Sequence, residues 1–178
     1  MFIYQGCQSK EEKAQPKPLL DRMVASGQLS YKVPDSWKEE KPSSTMRKAQ
    51  FRLPGIEGAD DAEMAVFVFP GGGGGVQANI NRWIGQFKQP DGSDSMEKTE
   101  IKKLDNNGLK TTVIYVTGTY LKGSMMGGPT TELKDYAMVA AIVETATDPW
   151  FFKTIGPEVT IDHWRSEFEK FTKSFKQE

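Results

Sequence analysis

Residues 71–75 are five consecutive glycines between an apolar run, 63–69, and an amphipathic run, 76–87. This stretch limits the fold sharply, because a glycine-rich strand-to-helix turn is where many nucleotide-binding folds hold a phosphate. A Walker-type loop needs Lys and then Ser or Thr directly after its last glycine, and Val76, Gln77 and Ala78 stand there instead. The dinucleotide fingerprint needs glycine at its first, third and sixth positions and a parallel βαβ unit. Counted from Gly71 the sixth position is Val76, and a polar hairpin follows the helix. What remains is a strand-to-helix corner in which glycine supplies space or positive φ. Anion binding by the bare N–H groups of Gly73, Gly74 and Gly75 at the helix start is the alternative.

The flanking runs predict regular elements. Residues 47–53 alternate, with Ala49, Phe51 and Leu53 on one face, as in a half-buried strand. Residues 63–69 are apolar almost throughout, as in a central strand covered on both faces. Val76, Ile80, Trp83, Ile84 and Phe87 make one apolar helical stripe, leaving Asn79, Asn81, Arg82 and Gln86 off it. Residues 98–104 and 111–119 form a hairpin through a turn at 105–108. A glycine-rich segment, 118–129, carries Tyr120, Met125 and Met126. Further strands are expected at 31–33, 135–145 and, last, 150–155, and a turn or two of helix at 19–25.

Trp164, Phe168, Phe171 and Phe175 then recur at helical spacing in a closing amphipathic helix, supported by Arg165/Glu169 and Glu169/Lys173 pairs. The sum is α+β: an antiparallel β-sheet of about six strands packed between helices, an α/β/α sandwich. Residues 1–29 read as a flexible tether and 30–178 as a single domain.

Charge and composition remove several function classes. The 23 basic and 24 acidic residues leave a net charge of −1, with no basic stripe for nucleic acid. With one cysteine and one histidine, no intrachain disulfide and no cysteine- or histidine-rich metal centre is available, so neither metal nor cofactor is expected. No stretch approaches the ~20 apolar residues that span a bilayer. Gly6-Cys7 ends a short apolar piece and precedes a polar, proline-containing tether. That pattern is similar to the acylation site of a bacterial lipoprotein, although Tyr4 stands where a larger aliphatic is usual. A free thiol in the terminus is the other reading of Cys7. A membrane contact is expected only through such an anchor.

No catalytic group stands out. His163 follows Asp162 at a helix start, but no nucleophile elbow accompanies it. The enzymatic alternative is a small anionic substrate handled by the helix-start N–H groups, Arg82 and His163. Tyr120, Met125 and Met126 in their loop are candidates for ligand or partner contact. Trp37, Arg47, Arg82 and Trp83 are candidates for a structural cation–π cluster.

The order of these elements is itself informative. Val33-Pro34 is followed by Trp37, then MRKAQFRLP, an apolar strand, a helix bearing NINRW, hairpins, WFFKTIGP and the closing WRSEFEKFTKSF. Over roughly residues 30–177 this resembles the superfamily that joins the PsbP extrinsic photosystem proteins, the Mog-type Ran-binding proteins and their bacterial relatives. The resemblance implies an antiparallel sheet between helices and a non-enzymatic accessory or binding role. No manganese, calcium or chloride site and no Ran-binding surface of that superfamily carries over onto residues of this chain. The expected protein is therefore a monomeric, non-catalytic module on the periplasmic side of the bacterial envelope, with the cytoplasm as the alternative. Its partner is expected to be a protein or a small ligand.

Overall fold

The computed structural model describes residues 22–25, 29–106, 108–123 and 129–178. In chain order the elements are β1 (Arg22–Ala25), β2 (Leu29–Val33), β3 (Lys38–Glu40), β4 (Ala49–Leu53), β5 (Ala62–Val68), α1 (Val76–Ile84), β6 (Phe87–Lys88), β7 (Glu100–Asn106), β8 (Leu109–Lys122), β9 (Thr131–Glu144), β10 (Trp150–Pro157), α2 (Glu158–Lys173) and β11 (Lys176–Gln177). The large sheet runs β3-β4-β5-β10-β9-β8-β6, with β7 also paired to β8, and every pairing is antiparallel. A small sheet runs β1-β2-β11.

Alternation along the strands gives the large sheet two apolar faces. Ala137, Val139, Ala141 and Val143 of β9 join a core with Trp150 and Phe152 of β10 and Ile161, Phe168 and Phe171 of α2. The interposed Met138, Ala140 and Ile142 join a second core with Phe151 and with Ile80, Trp83 and Ile84 of α1. The two helices thus cover opposite faces, and the class is α+β. The small sheet closes the first core. Tyr31 of β2 meets Phe152 and Phe171 edge-on at centroid distances of 5.2 and 5.5 Å, and Phe175 stacks on Phe152 at 4.9 Å.

Several expectations need correction. The described residues hold eleven strands, more than the six expected. Those missed are β1, β3, β6, β7's continuation into its turn, and β11; strands of two to four residues are too short to show a period. Residues 22–25 are strand and not helix, because they pair in register with β2. The strand at 150–157 is followed by β11 after α2. Helix α1 stops at Ile84, so Phe87 reaches the second core from β6. Arg165 pairs with Glu100 and Glu169 with Lys102, both across to β7, in place of the expected pair within the helix.

Asn79 and Gln86 are buried although they lie off the stripe. Asn79 Nδ2 donates to the carbonyls of Gly73 and Gly75, at 2.9 and 2.8 Å, and so ties the glycine run to the helix it opens. All five glycines of that run have positive φ, between 55° and 89°, a backbone that side-chain-bearing residues resist.

Candidate functional site

The site grows from one lysine in an apolar strand. Strand β10 lies between β5 and β9, and Lys153 falls between Phe151 and Ile155 on the face that α1 covers. Its partners across the sheet are Ala65 and Ala140. Two methyl groups leave space above the sheet, and the lysine stem fills it. At its tip the ammonium lies 5.5 Å from the ring centroid of Trp83 and donates to Gln86 Oε1. Gln86 is held in turn by its backbone carbonyl, which accepts from Leu121 N at 2.8 Å.

Around Lys153 the surface forms a cleft of about 420 Å³. That is within the range of roughly 300–1,000 Å³ common for small-ligand sites. Phe67, Tyr120, Tyr136, Leu133 and Ile155 give it apolar and aromatic walls. Tyr120 and Tyr136 stack with centroids 6.4 Å apart, and Phe87 backs Tyr120 at 5.4 Å. Strand β8 can deliver Tyr120 here because a register shift falls between Gly118 and Tyr120. Gly118 has φ of 142°, and a Cβ there would sit 2.6 Å from Lys88 O. Glycine is therefore needed where β6 closes over β8.

The charges lining the cleft are not evenly answered. Arg47 donates to Glu63 Oε1 at 2.7 Å, and Gln50 donates to Glu63 Oε2 at 3.1 Å. Asp61 accepts from the Gly55 N–H at 2.7 Å, which above all lowers its carboxyl pKa, and pairs with Arg52 at 3.2 Å, which adds to the lowering. Both rim carboxylates thus have their own arginine. Lys153 has no ion-pair partner among the described residues, and neither does Lys122 at the exposed rim. Desolvation, with Arg82 on α1 adding to it, pulls the Lys153 amine down to about 7. Burial, reinforced by Glu63, pushes the Tyr120 phenol up, so that it remains a hydrogen-bond donor at neutral pH.

Of the residues singled out in the sequence, Tyr120 lines this cleft and Arg82 acts on Lys153 through its charge. Gly73, Gly74 and Gly75 lie at the other end of α1, about 13 Å away for a nine-residue helix. There Gly71 N donates to Asp148 Oδ1 at 3.0 Å. Cys7, Met125 and Met126 lie outside the described residues. His163, exposed on α2, is on the opposite face of the sheet from Arg82, so the two do not share a site. The expected cation–π cluster does not form: Trp37 packs with Phe171 in the first core, and the cation over Trp83 is Lys153. Lys153 was visible in WFFKTIGP as a lone charge on the apolar face of a buried strand. No group of three His, Cys, Asp or Glu able to hold a metal occurs among the described residues. Among them, too, no helix is long and apolar enough to cross a membrane.

No protein-family model matches the chain, and neither does any curated protein. Solved structures do align with it. The solution structure of cyanobacterial PsbP (CyanoP) from Synechocystis sp. PCC 6803 aligns with a TM-score of 0.54 at 12% identity, over 93% of this chain and 99% of that one. The fold is PsbP-like. PA94 of Pseudomonas aeruginosa, a protein of unknown function, aligns with a TM-score of 0.45 at 11% identity, over 86% of this chain and 94% of that one. The PsbP-like likeness accounts for the antiparallel sheet between two helices and leaves the cleft to be read from its own chemistry.

Proposed function

We propose that this chain is a non-catalytic binding module of the bacterial envelope, related to the PsbP and Mog-type superfamily, and that its ligand site is the Lys153 cleft. The observation that carries this reading is the convergence of a lysine without an ion-pair partner among the described residues, the side-chain amide it donates to and three aromatic rings on one concave surface. The domain works as a monomer on the periplasmic side, held there through an acylated Cys7. A small ligand fits the cleft better than a protein segment does, because the walls close around one central group. Tyr120 and Arg82 serve this site. Among the described residues that line the cleft there is no Ser, Thr, Cys or His, and we read Lys153 as a binding group.

The test is fragment mapping by NMR on the full chain. Methyl and amide shifts at Ala65, Leu133, Ile155 and Gln86 are expected to respond together to the fragments that bind. Responses confined to the strand-to-helix turn at 71–75 would move the site there and overturn this assignment.

A further inference from the structure

We propose that the ligand of the cleft is a small aromatic monocarboxylate, received by Lys153 with uptake of a proton; this rests on the cleft being the binding site. Two features define the chemistry. The first is the flat apolar walling by Phe67, Tyr120 and Tyr136, which suits a ring. The second is the state of the charges. Glu63 and Asp61 are each engaged by an arginine, so among the described residues lining the cleft the cations without an ion-pair partner are Lys153 and Lys122, with Arg82 near by on α1, bonded to Asn79.

A single negative charge satisfies Lys153. Inorganic phosphate has no ring to pack against the aromatic walls and is disfavoured on that ground. The free Lys153 already spends one N–H on Gln86 Oε1, which leaves two donors for a carboxylate. The bond to Gln86 draws the ammonium to the Trp83 side of the cleft.

Proton linkage follows from the same geometry. In the free protein the ammonium faces Trp83 and Gln86 without a carboxylate, with Arg82 repelling it from α1 and Arg47 already matched by Glu63 on β5. Tyr136 from β9 and Tyr120 from β8 face the cleft as neutral phenols. A bound carboxylate opposes the desolvation and raises the amine's pKa. The complex therefore holds a proton that the free site has largely lost above neutral pH, and affinity falls as pH rises.

Calorimetric titration of the full chain with benzoate, phenylacetate and naphthoate, each beside its neutral amide and with inorganic phosphate as a further probe, tests this. At least one carboxylate is expected to bind at about pH 6 some tenfold or more tighter than its amide, and to lose about tenfold per pH unit above neutrality. Paired buffers of different ionisation enthalpy should report uptake of nearly one proton at about pH 8. Lys153→Met should abolish the preference for carboxylate, with its amide spectrum showing a retained fold, and Lys153→Arg should keep binding while losing the pH dependence. Equal, pH-independent binding of acid and amide would overturn the proposal and leave the cleft as a neutral-ligand site. Phosphate binding tighter than every carboxylate would overturn the monocarboxylate assignment. Failure of all probes, together with fragment mapping that finds nothing in the cleft, would remove the site itself.

Discussion

Lys153 donates from its ammonium to Gln86 Oε1 where no carboxylate among the described residues is close enough to pair with it. The amine is held down to about 7, mainly by desolvation, while in the unfolded chain it titrates near 10.5. Between those values the unfolded chain binds one more proton than the folded one, so stability attributable to this group rises with pH across that window. Below about pH 7 the folded state carries the full penalty. Lys153→Met is expected to be more stable than the parent at about pH 6, with the advantage shrinking by up to tenfold in the folding constant per pH unit above 7. Urea denaturation of both proteins across the window measures it. A constant difference would mean that Lys153 titrates normally.

Two glycine positions with different surroundings should differ in cost. A Cβ at Gly74 meets nothing within 4 Å, so Gly74→Ala meets only the resistance to its φ of 89°, about 1–2 kcal/mol. At Gly118 the Cβ would come 2.6 Å from Lys88 O. Gly118→Ala is expected to cost more, and to shift the NMR signals of Phe87 and Lys88 as β6 is forced off β8. Equal stability losses would contradict the close approach.

Phe171 of α2 meets β2, β10 and the residue before β11 through contacts with Tyr31, Phe152 and Phe175. Phe171→Ala should cost about 3–5 kcal/mol in chemical denaturation, the range for truncating a buried aromatic. Ile101→Ala, at an exposed position on β7, should change stability by about 0.5 kcal/mol or less.

Anchoring makes its own prediction. Cells fed a radiolabelled fatty acid should incorporate label into the parent and not into Cys7→Ser, which should leave the membrane fraction. Equal partitioning of the two would exclude the anchor.

Much of the fold was legible because its signals are local. The alternation in β4, the apolar β5, the hairpin of β7 and β8, and the aromatic stripe of α2 each follow from residue spacing alone. The short strands were not legible, since β6 and β11 have two residues each and exist through pairing with β8 and β2. Asn79 and Gln86 look like exposed helix polars, and their bonds to the glycine loop and to Lys153 appear only in the fold. The cleft was the least legible part. It draws on β5, β8, β9, β10 and the end of α1, and its key lysine is marked in the sequence only by the apolar residues around it. Arg82 and Tyr120 were recognised as candidates separately, but nothing in their spacing connects them through Lys153.

The most direct measurement is the ¹³Cε chemical shift of Lys153, followed against pH in protein labelled at lysine and assigned with Lys153→Met. A titration midpoint near 7 is predicted, rising when a bound aromatic carboxylate answers the charge. A midpoint near the ordinary lysine value of about 10.4, unmoved by any such ligand, would contradict the account of the cleft.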